Sequence, residues 1–196
     1  MQEENFSPQD SIKLIQGMIA KTRADMGDNA SYFILWGWIT FLACTGQFVL
    51  KNLFDYSGHY QVWLLVIPGV FITIYLGNRQ KKARTVHTYI GESMKYLWTG
   101  MGISFFVLSM IFTRMGWGVN IFPFFIMLYG LGTFISGKLL QFNPLVIGGL
   151  IAFALAIIST YFNYDYQMLF GAAAILFSYL IPAYLLRRKN RSLKIA

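Results

Sequence analysis

Long uncharged stretches separated by short charged segments dominate this chain. Between Asp28 and Arg187, six stretches contain no Asp, Glu, Lys or Arg, and they comprise 22, 23, 18, 23, 26 and 21 residues. Each is long enough to cross a hydrocarbon core of about 30 Å as a helix, which rises about 1.5 Å per residue. The pattern therefore predicts an all-α polytopic membrane protein with six transmembrane helices, at about residues 31–50, 60–76, 96–113, 119–136, 143–161 and 167–186.

A different pattern precedes the first predicted span. Ser7 and Pro8 are typical of a helix start. Behind them, apolar residues recur at helical spacing: Ile12, Ile15, Ile19 and Met26. The charged residues fall largely on the other faces, which is typical of an amphipathic helix at a membrane surface. We expect residues 1–30 to form a cytoplasmic interfacial helix and a linker, with Gly27-Asp28-Asn29 breaking the helix before the first span.

Two prolines predict local features of the spans. Asn143 and Pro144 are typical of the cap and the first position of a helix, so we expect the fifth span to begin there. Pro68, followed by Gly69, lies in the middle of the second span and should kink it.

The distribution of basic residues predicts the orientation. Of the 16 lysines and arginines, 14 lie before the first span, in the second and fourth connections or after the last span, and only Lys51 and Arg114 lie on the opposite side. Basic residues are enriched on the cytoplasmic side of membrane proteins. We therefore expect both termini in the cytoplasm and residues 187–196 as a basic tail.

Composition and net charge limit the classes of partner that the chain is expected to bind. The chain has 196 residues, of which 56% are apolar and 12% charged, whereas a soluble domain carries about a quarter charged residues. The net charge of +8 falls on the predicted cytoplasmic side, where it serves orientation and attraction to anionic lipid headgroups. We expect such a lipid bilayer as a partner and no binding of nucleic acid, which requires a basic domain with interleaved aromatic residues.

The six predicted spans contain no Asp, Glu, Lys, Arg or His. Such residues mark most proton relays, ion pathways and voltage sensors in membranes. The two histidines, His59 and His87, fall on opposite sides, and Cys44 is the single cysteine, so the sequence offers no set of metal ligands and no nucleophile beside a base. We therefore predict no metal, no cofactor and no enzymatic activity.

Neutral polar and aromatic residues concentrate near the predicted outer ends of the spans. They could line a cup for an uncharged or weakly polar small molecule. Alternatively, they form the aromatic belt with hydrated amides that is common at membrane interfaces. The candidates for ligand contact are Gln47, Gln61, Trp63, Asn120, Tyr161 and Gln167.

Two cytoplasmic segments are candidates for binding. Four basic residues follow the second span: Arg79, Lys81, Lys82 and Arg84. They could bind anionic lipid headgroups or a protein partner, although the orientation rule also explains them. The apolar face of residues 8–27 is a second candidate for binding a protein partner.

Small residues recur at intervals of three or four within the spans, a spacing that lets helix backbones approach closely in lipid. We expect packing within one bundle, with a homo-oligomer interface as the alternative. The third span carries Gly100 and Ser104 at this spacing. The other stripes contain Gly37, Thr40, Ala43, Gly46, Gly148, Ala152, Ala156, Gly171, Ala174 and Ser178.

Three segments of the chain carry a resemblance: Ser11-Ile12-Lys13-Leu14-Ile15-Gln16-Gly17-Met18-Ile19-Ala20-Lys21, Leu35-Trp36-Gly37-Trp38 and Asn143-Pro144-Leu145-Val146-Ile147-Gly148-Gly149. In them the chain resembles a family of similarly small bacterial inner-membrane proteins that lacks an assigned activity. This resemblance implies a six-pass fold, location in the bacterial inner membrane and no catalytic residue. A looser resemblance, through Ala20-Lys21-Thr22-Arg23-Ala24 and the chain length, is to the substrate-binding membrane subunits of energy-coupling-factor vitamin transporters. It implies ligand binding near the outer face.

Two hypotheses of function follow. The first is a non-enzymatic membrane protein with a structural or regulatory partner-binding role. The second is a small-molecule permease, or a ligand-binding transporter subunit, with a neutral site near the outer face.

Overall fold

The structure, a computed structural model, describes the backbone of residues 8–83, 89–115 and 120–195 and the side chains of residues 30–79, 89–115 and 120–190. In these residues all regular structure is helical. The α-helices are α1 (Pro8–Asn52), α2 (Val66–Ala83), α3 (Tyr89–Met115), α4 (Phe122–Leu139), α5 (Asn143–Ser159), α6 (Tyr164–Ile175) and α7 (Ile181–Ile195). A 3-10 helix, His59–Leu65, leads into α2, and a π-helix, Leu176–Leu180, joins α6 to α7.

The described helices are those of a membrane protein. Within the described ranges, five segments are long and apolar enough to cross a membrane: Ala30–Asn52, His59–Arg79, Tyr89–Met115, Phe122–Leu139 and Tyr164–Asn190. The remaining apolar helix, α5, has 17 residues. The all-helical character predicted from the spacing of charges is therefore confirmed for the described residues, and the long apolar helices support a membrane protein.

The first helix is continuous over 45 residues. The predicted break at Gly27-Asp28-Asn29 is wrong, because α1 runs through these residues into the apolar segment. A glycine inside a helix costs only about 1 kcal/mol, and Asp or Asn costs less. Ending one helix and starting another would leave backbone groups at both new ends without helical partners. The predicted interfacial helix and the first span are therefore one element.

Pro68 lies in the middle of the apolar segment His59–Arg79, as predicted, and at the beginning of α2. The chain forms a 3-10 helix up to Leu65 and becomes α-helical at Val66, so Pro68 occupies the first turn of α2. Proline is tolerated there because the N–H it lacks would have no helical partner. The next residue, Gly69, is buried against α1, where a Cβ would lie 2.5 Å from Ile39 Cδ1.

A tight turn reverses the chain between α4 and α5. Gln141 has a left-handed backbone conformation with φ of 49°. Its N–H bonds the Lys138 carbonyl at 3.2 Å, and the N–H of Phe142 bonds the Gly137 carbonyl at 2.9 Å. This is the Schellman pattern of a helix C-terminus. Because α5 begins directly after this turn, Asn143 is its first helical residue. The prediction that Asn143 is the cap of this helix is therefore wrong.

Pro182 explains the π-helix in the last span. In an α-helix, residue 182 would donate its N–H to the Ser178 carbonyl, but proline has no N–H and its ring collides with that carbonyl. The helix widens just before Pro182, and the N–H of Ile181 bonds the carbonyl of Leu176, five residues back. Single turns of π-helix of this kind are frequent at functional sites.

The helices divide into a packed centre and two peripheral members. α5 packs against α4, α6 and the π-helix, and α1 packs against α6, the π-helix and α7. The largest buried cluster joins these helices through Phe33, Leu145, Tyr179 and Leu186. α2 packs mainly on α1 and the 3-10 helix, and α3 packs mainly on α4, so most side chains of α2 and α3 face outwards.

Candidate functional site

The amide of Gln47 joins three elements at the predicted outer end of α1. Gln47 is buried. Its Oε1 accepts a hydrogen bond of 2.6 Å from Trp63 Nε1 in the 3-10 helix. Its Nε2 lies 3.2 Å from His59 Nδ1 and donates to the Tyr164 hydroxyl of α6 at 3.3 Å. The carbonyl oxygen and both N–H groups of this amide are thus used within the chain.

An ion pair borders this amide on the side of α6. Lys51 Nζ pairs with Asp165, and the ammonium group lies 4.9 Å from the centroid of the Tyr164 ring. Both charged side chains are 34% exposed, and an ion pair in such a position contributes about 0–1 kcal/mol. We call these residues the outer network: Gln47, Lys51, His59, Trp63, Tyr164 and Asp165.

Three of the predicted ligand residues are exposed and take no part in the outer network. Gln61 Oε1 accepts a hydrogen bond of 3.1 Å from the Tyr56 hydroxyl. Asn120 precedes α4, and Tyr161 follows α5, where it is 83% exposed. Their exposure is typical of an interfacial belt and not of an enclosed cup.

Gln167 is the predicted ligand residue with an unused acceptor. Its side chain is fully buried in α6, and Nε2 donates to the Phe162 carbonyl at 2.9 Å. Its Oε1 is buried and has no partner among the described atoms. A buried amide oxygen of this kind is a position for an ordered water molecule or for a polar ligand atom. Of the six predicted residues, the described hydrogen bonds join only Gln47 and Trp63.

A second cluster, of aromatic rings, fills the centre of the bundle around Tyr179 of the π-helix. Tyr179 is 2% exposed, and the ring centroids of Phe33, Trp98 and Tyr129 lie 4.9, 5.6 and 5.8 Å from its own. The ring planes are inclined by 75–89°, so that edges meet faces. This central aromatic cluster joins α1, α3, α4 and the π-helix.

Polar side chains tie the rings of the cluster to neighbouring helices. Trp98 Nε1 donates to Ser136 Oγ of α4 at 3.2 Å. The hydroxyl groups of Tyr129 and Thr40 share a hydrogen bond of 2.8 Å, which links α4 to α1. The cluster is therefore a packed junction with fixed ring orientations.

The π-helix also brings the backbone of the last span against α5. A Cβ at Gly148 would lie 2.8 Å from both the Cα and the carbonyl oxygen of Ser178, so only glycine fits without a shift. This carbonyl is the one that Pro182 leaves without its α-helical donor. The hydroxyl oxygens of Ser178 and of Thr133 on α4 are buried and have no partner among the described atoms. Polar groups thus remain unsatisfied where the π-helix meets the bundle.

The small residues predicted to pack lie at helix contacts, with a clear exception. Nine of the ten are buried and Gly46 is half-buried against the 3-10 helix, where a Cβ would lie 3.3 Å from Val62 Cγ1. By contrast, Gly100 and Ser104 of α3 are exposed, and nothing lies within 4 Å of a Cβ built at Gly100. The stripe on the third span therefore faces away from the bundle.

The predicted cytoplasmic sites are described only in part. Arg79 is exposed in α2. Lys81 and Lys82 follow within the same helix, where the structure describes the backbone alone, and Arg84 lies outside the described residues. Residues 8–27 belong to α1, and their side chains are likewise not described.

His59 and Tyr179 join elements of the structure, although neither was predicted from the sequence to do so. For Tyr179 a signal existed, because Pro182 lies four residues after Ser178 and predicts a disturbed helix there. His59 carried no comparable signal, since its contact with Gln47 depends on how the 3-10 helix folds back onto α1.

Comparison with known protein families, with curated proteins and with solved structures gives no match to this chain. Within the described part of the chain, no group of three or more His, Cys, Asp or Glu side chains is arranged to bind a metal ion. The function has to be inferred from the residues and contacts above.

Proposed function

We propose that the protein is a six-pass protein of the bacterial inner membrane with both termini in the cytoplasm. It acts as a structural or regulatory partner of another protein and not as an enzyme. Residues 8–27 of α1 are the proposed contact with a cytoplasmic protein. The observation that carries this proposal is the continuity of α1 between its charged half and the centre of the bundle.

α1 is about twice as long as the hydrocarbon core is thick. Its apolar segment, Ala30–Asn52, has 23 residues, and roughly 33 Å of helix precedes this segment at 1.5 Å per residue. The preceding half carries Lys13, Lys21 and Arg23, which are costly to place in hydrocarbon. Because the helix is uninterrupted, a protein bound to this half would act directly on residues of the packed centre such as Phe33.

The short helix α5 supports a sixth crossing. Its 17 residues extend about 26 Å, close to the thickness of the hydrocarbon core. Short turns join it to α4 and α6, and it packs against both of them. Since α4 and the segment Tyr164–Asn190, which begins with α6, are long enough to cross a membrane, we expect α5 to return the chain through the same thickness.

Truncated fusions to a topology reporter test the six crossings. A reporter fused after residue 196 is expected in the cytoplasm, because 14 of the 16 basic residues lie on the predicted inner side. Reporters fused after Gln141 and after Asn163, which bracket α5, are expected in the cytoplasm and in the periplasm, respectively. A periplasmic signal after residue 196 would contradict the orientation, and equal signals after Gln141 and Asn163 would exclude the sixth crossing.

Site-specific photo-crosslinking in cells tests the partner contact. A photoreactive amino acid at Ile12, Ile15 or Ile19 is expected to crosslink to one and the same protein, because these positions share the apolar stripe of the amino-terminal half of α1. Matched positions on the other faces, Lys13 and Lys21, should give a signal several-fold weaker. Crosslinking and mass spectrometry of the adduct give both the yield and the identity of the protein.

Other outcomes of the crosslinking experiment are decisive as well. Adducts to lipid alone, or equal yields on both faces, would refute the partner contact. An adduct to a second copy of this chain would show that the partner is another copy of the protein and not a different protein.

A small-molecule site near the outer face receives less support. The amide of Gln47, which would have to recognise the ligand, already makes three hydrogen bonds within the chain. A ligand would need to break contacts that join α1 to the 3-10 helix and α6. The unused oxygen of Gln167 is the observation that favours this alternative, and a single buried acceptor is satisfied equally well by a water molecule.

A further inference from the structure

The tryptophan in the outer network fixes the orientation of the Gln47 amide. An indole N–H can only donate a hydrogen bond, so the Gln47 atom that Trp63 Nε1 contacts at 2.6 Å has to be the amide oxygen. The amide nitrogen therefore points to His59 and to Tyr164. The usual ambiguity between the oxygen and nitrogen of a glutamine side chain does not arise here.

The protonation state of His59 follows from this orientation. The Gln47 Nε2 carries two N–H groups and no acceptor, so the His59 Nδ1 at 3.2 Å has to accept. An imidazole that accepts through Nδ1 is neutral and carries its proton on Nε2. We propose that His59 is a proton-binding site on the outer face, and that protonation of Nδ1 releases the 3-10 helix from α1.

Protonation converts an attraction into a repulsion. A proton taken from the outer solvent would occupy Nδ1 and leave two N–H groups facing each other across the distance that now holds a hydrogen bond. The charged groups that act on His59 are Lys51 on α1 and Asp165 on α6. Tyr164 shares the Gln47 amide with it, and Tyr60 is its ring neighbour at 6.0 Å. Burial of the ring and Lys51 disfavour the imidazolium, whereas Asp165 favours it.

Few side-chain hydrogen bonds join the 3-10 helix to α1 among the described residues, so the loss of one matters. None of its residues is buried, and it packs against α1 and α2 within the described residues. Two of the side-chain bonds that hold it to α1 come from the same amide, to His59 and to Trp63. Apolar contacts adjoin these bonds, because Val62 lies against Gly46 and the Trp63 ring packs against a buried cluster that includes Cys44. Since histidine changes its charge between about pH 5 and pH 8, we expect acidification of the outer side to charge His59 and to weaken this attachment.

Nitrogen NMR of the two histidines tests the assignment in the full chain in lipid nanodiscs. The spectrum distinguishes a ring protonated at Nε2 from one protonated at Nδ1, and the variant His87→Gln assigns the resonances. At about pH 7.5 we expect His59 to carry its proton on Nε2, and at about pH 5 to be doubly protonated. A proton on Nδ1 at neutral pH, or a ring that stays neutral at pH 5, would overturn the proposal.

Spin labels measure the release of the 3-10 helix. Cysteines replace the exposed Leu64 and Tyr161 in a Cys44→Ala background, and pulsed electron resonance gives the distance between the two labels. The distribution is expected to be narrow at about pH 7.5 and to broaden and shift reversibly at about pH 5, where His59 is charged. An unchanged distribution while NMR reports a protonated His59 would refute the release.

Matched variants assign any response to His59. The variant His59→Gln offers an amide oxygen as acceptor and does not titrate in this range, so it should keep the narrow distribution at both pH values. Gln47→Glu should also abolish the acid response, because its carboxylate accepts from a protonated Nδ1. His87→Gln should retain the response. A response that persists in His59→Gln would show that another group is the sensor.

Discussion

Replacing Tyr179 by alanine is expected to lower the free energy of unfolding by about 3–5 kcal/mol, the cost typical of removing a large buried ring. The ring is 2% exposed and touches three other aromatic rings from three different helices. Its removal leaves a cavity that these rings cannot fill without leaving their present orientations, because Trp98 and Tyr129 are also held by hydrogen bonds. Reversible unfolding in mixed micelles, followed by circular dichroism, measures the change.

Two further substitutions make this result specific. Tyr179→Phe keeps the ring and should cost less than about 1.5 kcal/mol, as volume-conserving changes usually do. Tyr75→Ala removes the same side chain from the outward face of α2, where it is 66% exposed, and should have little effect. A loss for Tyr179→Ala no larger than that for Tyr75→Ala would mean that the central aromatic cluster does not hold the bundle together.

Replacing Gly148 by alanine is expected to cost about 1–3 kcal/mol, although alanine is the better helix former. The added Cβ would lie 2.8 Å from the backbone of Ser178, and a backbone atom cannot rotate away as a side chain can. α5 and the last span would have to separate, and their packing would become weaker. In lipid this packing holds helices together, because no hydrophobic effect acts between them. The same unfolding assay measures this change, and Gly148→Val should cost more.

Gly100→Ala is the matched control for this substitution. Gly100 is also a helical glycine, but nothing lies within 4 Å of a Cβ at this position. Its replacement should be neutral or should stabilise α3 by up to about 1 kcal/mol, since alanine loses less backbone entropy. Equal effects at the two glycines would refute the close approach of α5 to the π-helix.

The overall architecture could be predicted because the hydrocarbon core imposes one simple requirement. A helix that crosses it excludes charge over about 20 residues, so Lys51, Arg114 and Lys138 mark the ends of spans directly in the sequence. Local helix signals were less reliable. Gly27 and Asn143 carry the preferences of a helix end and a helix cap, but these preferences amount to about 1 kcal/mol and were outweighed in the structure by the continuation of α1 and by the turn before α5.

The sequence indicates which residues are candidates for a site, but it does not indicate how they are arranged. The amide of Gln47 and the indole of Trp63 were identified as polar groups at the outer face, but a sequence does not say whether such groups serve each other or a ligand. The answer depends on the 3-10 helix, which folds back onto α1 and satisfies the amide from within the chain. The central aromatic cluster was missed for a similar reason, because Phe33 and Tyr179 meet only through the packing of the first helix against the last.

The packing of α1 against the last span has a consequence for biosynthesis. Between the end of α1 and the start of α6 lie 111 residues, which a ribosome synthesises in about 6 to 22 seconds at 5–20 residues per second. During this time α2 is available to pack on α1, through contacts such as the hydrogen bond from Trp36 to Thr73, and the 3-10 helix is available to Gln47. Tyr164 and Tyr179, which contact Gln47 and Phe33, have not yet been made. Packing of α1 against the last span is therefore a late event, which follows the synthesis of α6 and the π-helix.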